Sequence, residues 1–204
     1  MGNSTTGFFG LRPVRRRDGS PYNGAVEKCF VSSSDTVAIY IGDPVAMAVA
    51  DANMDSLGLH TSVMHTAGAD AAVIYGVVCS VFPSTASSLP YRAASTERYV
   101  GVCPVENMIF QIKGDGGGTP ANEWLGLNAV MIAGTDSTIT GMSGAALDEG
   151  SADGPAEDQS NPLVILGVAN LPDNELGDYA IWEVMINTPE IAATGGLYLG
   201  VAAS

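Results

Sequence analysis

The chain of 204 residues carries a formal net charge of −14, with 46% hydrophobic residues, 15% charged residues and 25 glycines. This length suffices for one sizeable core or two small ones, and the acidic balance argues against nucleic-acid binding, which needs a basic face. Low charge with abundant Gly, Thr, Ser and Val favours a β-rich protein, and no apolar stretch approaches the roughly 18 residues of a membrane span.

Residues 1–24 are rich in Gly, Pro, Ser and Arg and lack an apolar period, which predicts an extended N-terminal arm. Pro13 and Pro21 are expected to prevent regular strand pairing there. The arm holds half of the basic residues, namely Arg12, Arg15, Arg16 and Arg17. This composition has two interpretations. The arm either binds an acidic surface, on a neighbouring copy or on a partner, or is a solvated tail.

Residues 25–204 are predicted to form an all-β body, a single β-barrel or β-sandwich, with two small β subdomains dividing near residue 103 as a variant of the same interpretation. The run at 71–82 is apolar throughout, which predicts burial on both faces of its strand. The short runs that predict strands are VEKCFV, TVAIYIG, PVAMAVA, AAVIYGVVCSVF, RYVGVCPV, MIFQIKG, NAVMIAG, LVILGVAN, YAIWEVMIN and GGLYLGVA.

Three loops separate these runs. Residues 51–70 form a polar excursion, and residues 113–120, KGDGGGTP, predict a hairpin turn with a flexible glycine tip. Residues 148–162 are acidic but lack the carboxylate spacing of a calcium loop. The charge is lopsided, because residues 103–204 hold 14 acidic and 1 basic side chain, a net charge of −13. This half is expected to face solvent.

Ser143 lies in the run GMSG, which invites comparison with a serine nucleophile. A chymotrypsin-like protease would need His60 or His65 as base and Asp70 or Asp115 as the orienting acid. The run departs from the Gly-Asp-Ser-Gly-Gly pattern of that class. A conformational hinge permitted by the flanking glycines is the favoured interpretation.

No cofactor and no metal site is predicted. Neither histidine has a Cys, Asp or Glu beside it at ligand spacing, so both are interpreted as surface loop residues. Cys29, Cys79 and Cys103 show no Cys-x-x-Cys spacing and are expected to be buried free thiols, as in a protein made in a cytoplasm.

The order of several segments resembles a group of tailed-bacteriophage head decoration (cement) proteins. The segments that carry this resemblance are GLRPVRRRDGSPYNG at 10–24, YIGDPV at 40–45, TITGMSG at 138–144, LGVANLPDNELG at 166–177 and EVMIN at 183–187.

The resemblance implies a non-enzymatic protein, made in the host bacterial cytoplasm, that binds the outer surface of a phage head. Its partner would be the major capsid protein, and a homo-trimer is expected because local three-fold positions are where capsomers meet. No direct nucleic-acid or membrane contact is expected. The arm residues expected to bind the partner are Phe8, Phe9, Leu11, Arg12, Pro13, Arg15, Arg16, Arg17 and Tyr22.

Two other functions remain open at this point. One is a different virion appendage, such as a head-fibre base or an adhesion component, that uses the loops at 51–70 and 148–162 for a ligand. The other, more distant, is the protease that would use Ser143.

Overall fold

The structure, a computed structural model, describes residues 3–48, 55–150 and 154–191, and in these ranges strands dominate. The regular helical element of this part of the chain is a 3-10 turn at Asn122–Trp124. The predicted all-β class is confirmed. The strands are β1 Arg12–Arg16, β2 Glu27–Val31, β3 Pro44–Met47, β4 Val63–His65, β5 Gly76–Val81, β6 Arg98–Pro104, β7 Met108–Lys113, β8 Asn128–Ala129, β9 Met131–Ile132, β10 Ala146–Leu147, β11 Leu163–Val168 and β12 Ile181–Ile186.

Sheet A contains five antiparallel strands in the order β1-β7-β12-β11-β8. Strand β12 alternates as expected for a strand with one buried face, because Trp182, Val184 and Ile186 are buried while their neighbours are partly exposed. Trp182 lies opposite Ile112 of β7, and Val184 lies opposite Phe110. These pairs form the centre of the first core.

Sheet B contains five antiparallel strands in the order β2-β6-β5-β3-β4, and it curls back toward its own edge. Phe30 of β2 donates its N–H to Thr61 O at 2.9 Å and forms a bridge with Ser62, immediately before β4. The inner face of this curl is lined by the second core, which contains Cys29, Val31, Ile39, Val45, Val63, Tyr75, Val78, Val100 and Val102.

The outer face of sheet B packs against sheet A as in a sandwich. Val77 and Cys103 belong to the first core, together with Phe110 and Trp182 of sheet A. The adjacent Val78 belongs to the second core. The first half of β5 is therefore buried on both faces, as the apolar run predicts, whereas its second half is partly exposed and Val73 and Phe82 at the ends of the run are exposed.

The chain crosses from sheet B to sheet A in the turn between β6 and β7. Met108 donates its N–H to Val105 O at 3.2 Å, and Asn107 has a φ of 58°. This turn follows residue 103, where the sequence suggests a division into subdomains. That division stays a prediction, and the first core is shared by both sheets.

Four local predictions about the body differ from the structure. The loop predicted at 51–70 contains strand β4, Val63–His65. Residues 36–42 form only isolated bridges, Ile39 with Arg92 and Ile41 with Met142, because they line the second core from outside the ladder. The run NAVMIAG divides into β8 and β9, which belong to different sheets. The predicted hairpin at 113–120 is wrong, because β7 pairs with β1 and β12 and not with the strand that follows it. The run GGLYLGVA lies outside the described residues.

Candidate partner-binding surface

The chain from Arg12 to Tyr22, here called the arginine hairpin, folds back on itself at the edge of sheet A. Strand β1 pairs with β7, and Arg16 N–H donates to Ser20 O at 2.8 Å across the turn. The Asp18 carboxylate accepts from Ser20 N at 2.9 Å and from Ser20 Oγ at 2.7 Å. These two bonds lower the Asp18 pKa. An Asp-Gly-Ser sequence supplies this carboxylate and the left-handed glycine that the turn requires.

The expectation that Pro13 prevents strand pairing is wrong. Pro13 lies opposite Phe110, and the register shifts between Pro13 and Arg15. Proline is compatible with an edge strand at such an irregularity, since its missing N–H need not serve a second neighbour. Pro21 also forms a bridge, with Arg15.

The four arginines of the hairpin differ in their partners. Arg12 Nη2 donates to Gln111 Oε1 at 2.7 Å, and Arg15 Nη2 lies 2.6 Å from Glu183 Oε2. Arg16 and Arg17 are exposed and form no salt bridge with any residue that the structure describes. Arg16 lies close enough to Asp18 of the same turn to contribute to the lowered pKa of that carboxyl group. The tip of the hairpin therefore presents two exposed guanidinium groups that can pair with carboxylates of another surface.

The residues that precede the hairpin lie along the body of the protein rather than projecting from it. The Asn3 side chain donates to Glu175 O at 2.8 Å and to Asp178 O at 3.0 Å, and it accepts from Glu175 N at 2.9 Å. The buried Lys113 Nζ donates to Thr6 O. The expected arm is thus ordered on its own chain.

The aromatic and apolar residues expected to bind a partner are largely committed to the body. Leu11 is only 2% exposed, so the expectation that it contacts a partner is wrong, because it fills the first core. The Phe8 ring centroid lies 5.3 Å from Lys113 Nζ, and the Phe9 ring centroid lies 4.5 Å from the Arg12 guanidinium carbon. Both half-buried rings therefore form cation–π contacts with basic residues of this chain.

Gly10 and Gly42 explain how closely this segment approaches the body. A Cβ on Gly10 would lie 2.4 Å from Gly42 O, and one on Gly42 would lie 2.1 Å from Phe9 O. Both residues also have positive φ values, 63° and 101°. Leu11 N–H donates to Gly42 O at 2.9 Å across this contact.

Tyr22 is half-buried and lies over a pair of thiols. Its hydroxyl donates to Ala25 O at 3.1 Å, and its ring packs against the first core. Cys79 Sγ lies 3.6 Å from Val77 O, and Cys103 Sγ lies 3.5 Å from Pro104 O. The neighbouring Cys103 thiol lowers the Cys79 pKa, while the Cys79 thiol and burial raise the Cys103 pKa. All three cysteines are free, and burial raises the pKa of Cys29 to about 12.

Sequence reasoning missed the most buried basic residue, Arg92. Its side chain is 0% exposed, and it donates to the carbonyl oxygens of Ser32, Asp35, Val37 and Thr96 at 2.5–2.8 Å. The Asp35 carboxylate lies 3.9 Å away. Burial lowers the Arg92 pKa. Arg92 lies in a predicted loop of small polar residues, and no local pattern distinguishes it from a solvated arginine.

Ser143 occupies a buried turn. It is 1% exposed, and its hydroxyl accepts from Ala145 N at 3.1 Å. Burial raises the pKa of the neighbouring Asp43, and interaction with Ser143 opposes that shift. Gly141 has a φ of 74°, and a Cβ there would lie 2.4 Å from Pro90 O, which agrees with the hinge interpretation.

The residues proposed to assist Ser143 lie in other contacts. The His60 ring packs edge-on against Tyr99, and the backbone N–H of His65 donates to Asp35 Oδ2 at 3.0 Å. Asp70 accepts from Ser160, and Asp115 accepts from Gly117 N at 2.9 Å. His65 interacts electrostatically with Asp43, the carboxylate next to Ser143, but no described contact joins a histidine to the Ser143 hydroxyl.

A second buried carboxylate, Glu149, is enclosed by the glycine-rich loop that follows β7. Trp182 Nε1 donates to Glu149 Oε1 at 2.9 Å, and Gly116 N donates to Oε2 at 2.9 Å. A Cβ on Gly114 would lie 2.0 Å from Oε1. The glycines therefore allow the backbone to pack closely around the carboxylate. The resulting burial raises the Glu149 pKa.

Comparison with known protein families, curated proteins and solved structures finds no match to this chain. In the ranges that the structure describes, no helix is long and apolar enough to cross a membrane. The same ranges contain no group of three or more His, Cys, Asp or Glu residues placed to hold a metal ion.

Proposed function

We propose that the chain is a non-enzymatic decoration protein that binds the outer surface of a phage head and stabilises capsomer junctions. The observation that carries the proposal is the arginine hairpin, where Arg16 and Arg17 are exposed and form no salt bridge within the described residues, on a chain of net charge −14. Such a site favours a partner that offers carboxylates. The partner proposed is the major capsid protein.

The surrounding structure supports this role. The hairpin is held by β7, by the Arg15–Glu183 ion pair and by Tyr22, so its tip is presented on a rigid sheet edge. A preorganised edge loses less conformational entropy on binding than a free tail would. Two arginines alone give a weak contact, and a homo-trimer, also proposed here, would present three copies together.

The test is a cryo-EM reconstruction of the particle that contains this chain. Density at many symmetric positions on the shell, with the hairpin tip against a neighbouring subunit, is expected. Density confined to a vertex or tail would overturn the decoration role and favour the appendage or adhesion role.

The contact itself is tested with particles assembled without the chain. Adding the purified protein restores it to the shell, and the double substitution Arg16→Gln, Arg17→Gln is expected to weaken binding at least tenfold. The matched control Lys28→Gln, Arg98→Gln removes two equal charges elsewhere and should bind normally. Equal loss in both variants would show that net charge matters and the hairpin does not.

A further inference from the structure

Three segments of the chain converge beside the second core and carry almost no charge. They are residues 36–42, 83–96 and 137–147, and Arg92 is the one charged residue in them, although 15% of the residues of the whole chain are charged. Arg92 is 0% exposed, so the surface of these segments bears none of the net charge of −14. Asp136, exposed at their border, accepts from Gly144 N of the same loop at 2.8 Å.

Backbone contacts hold the three segments together. Ile39 and Arg92 exchange two N–H···O bonds of 2.9 Å each. Ile41 N–H donates to Gly141 O at 2.8 Å. A Cβ on Gly141 would lie 2.4 Å from Pro90 O, so the turn that contains Gly141 packs directly on the loop that precedes Arg92.

Large apolar side chains are exposed around the contact between Gly141 and Pro90. Leu89 is 46% exposed, Met142 is 36% exposed and Ile139 is 88% exposed. Each of them lies within two residues of that contact along the chain, so their Cα atoms fall within roughly 7 Å of it. Exposed apolar residues that cluster in this way are typical of an interaction surface, whereas single ones are common everywhere.

The turn that carries Ile139 is closed by its own hydrogen bonds. Gly141 N–H donates to Ser137 O at 2.8 Å, and Ser137 N–H donates to Met142 O at 2.9 Å. Thr140 N–H donates to Ser137 Oγ at 3.1 Å. These bonds fix Ile139 at the tip, so covering it costs less conformational entropy than covering the tip of an open loop.

We propose that this surface, formed by residues 88–91 and 137–142 and here called the neutral face, binds a second copy of the chain. A second copy carries the same net charge of −14, so contact through a charged region would bring like charges together. The neutral face avoids this repulsion on both sides of the contact. A partner of different charge has no such constraint, and the second copy is favoured for that reason.

The inference rests on the homo-trimer of the proposed function and names its interface, since copies related by a symmetry axis can meet through one shared face. It does not require capsid binding. The neutral face and the arginine hairpin have no residue in common, so substitutions can separate the two contacts.

The test is sedimentation equilibrium of the purified protein without capsid, over a range of protein concentrations at low and high salt. Self-association with a Kd of roughly 100 μM or tighter is expected. Added salt should leave the association unchanged or strengthen it, because screening weakens the repulsion between acidic copies. A monomer at every concentration and every salt level would overturn the proposal.

Substitutions locate the contact. Ile139→Asp and Leu89→Asp each place a carboxylate on the neutral face of both copies, and each is expected to weaken association at least tenfold. The matched control Leu57→Asp adds the same charge at a leucine that is 71% exposed in another loop, and it should associate normally. Circular dichroism verifies that each variant is folded. Equal weakening in all three would assign the effect to net charge and overturn the proposal.

Hydrogen–deuterium exchange gives a readout that needs no substitution. Amides within residues 88–91 and 137–142 are expected to exchange more slowly at high than at low protein concentration, and protection confined to other segments would overturn the proposal. The Arg16→Gln, Arg17→Gln variant should associate like the wild type while it loses capsid binding. Failure of the capsid contact and failure of the self-contact are therefore seen in separate measurements.

Discussion

The arginine hairpin and the loops around Arg92 use the same functional group in opposite ways. In the hairpin, Arg16 and Arg17 stand in solvent beyond a sheet edge. At the second core, the Arg92 guanidinium satisfies four carbonyl groups and lies next to one carboxylate. The difference shows that an arginine serves the fold when backbone carbonyls converge on it, and is free for a partner when none does.

The largest expected effect comes from Arg92→Met. The substitution removes the guanidinium from four carbonyl groups, of which only those of Ser32 and Asp35 keep a backbone N–H donor, and it leaves the buried Asp35 carboxylate without its cation. We therefore expect the free energy of unfolding to fall by about 3–5 kcal/mol. Urea denaturation followed by tryptophan fluorescence measures this. Arg92→Lys is expected to be nearly as damaging, since a lysine cannot donate in four directions. A loss below about 1 kcal/mol would contradict the structural role.

The next effect concerns pH and the buried Glu149. Its folded-state pKa is raised by burial, so on raising the pH the unfolded chain loses this proton first. The contribution of Glu149 to stability is therefore fully present below the ordinary carboxyl range near 4.5 and is lost as the pH rises through the raised pKa.

In Glu149→Gln this decline is expected to be absent. Urea denaturation of both proteins from pH 4 upward gives the comparison, with the exposed Glu123→Gln as control. Parallel stability curves for wild type and Glu149→Gln would show that burial does not perturb this carboxyl group.

Ser143→Ala is expected to cost about 1–3 kcal/mol, because it removes the acceptor for Ala145 N–H and a partner of the buried Asp43. Denaturant unfolding measures the loss. A fluorophosphonate probe should leave the native protein unlabelled at Ser143, since the hydroxyl is buried and the described contacts bring no histidine to it. Labelling that disappears in the alanine variant would revive the protease alternative.

The smallest effect on stability is expected for Arg16→Gln, Arg17→Gln. Neither side chain has an ion-pair partner in the described structure, so the free energy of unfolding should change by no more than about 0.5 kcal/mol. The same variant is expected to lose capsid binding. A large destabilisation would show that Arg16 and Arg17 stabilise the fold, as Arg92 does, and contradict their assignment to partner binding.

Sequence reasoning succeeded where a local pattern carries the structure. The apolar run of β5 predicted burial on both faces, and Val77 and Val78 occupy different cores. The run YAIWEVMIN predicted the strand that is β12, and the glycines beside Ser143 predicted a hinge, for the same reason. Each depends on neighbours in the chain.

The remaining features depend on partners far apart in the chain. Pro13 suggested an unpaired arm, and only the edge position of β1 makes it compatible with a strand. Leu11 was expected to bind a partner because nothing nearby shows that Gly42 and the first core receive it. Arg92 lies in a predicted loop and Lys28 in a predicted strand, and neither position indicates that the fold brings carbonyl groups to Arg92 and the Tyr99 ring to Lys28.

The three free thiols lie in three different parts of the structure, so the rate at which each is modified reports on the opening of its own surroundings. Cys29 lies in the second core, Cys103 in the first, and Cys79 at the half-buried contact with Tyr22. Under native conditions a thiol reagent modifies each sulfur only as often as its surroundings open. The order of modification across the chain therefore measures whether the two cores open separately or together, and it needs no introduced label.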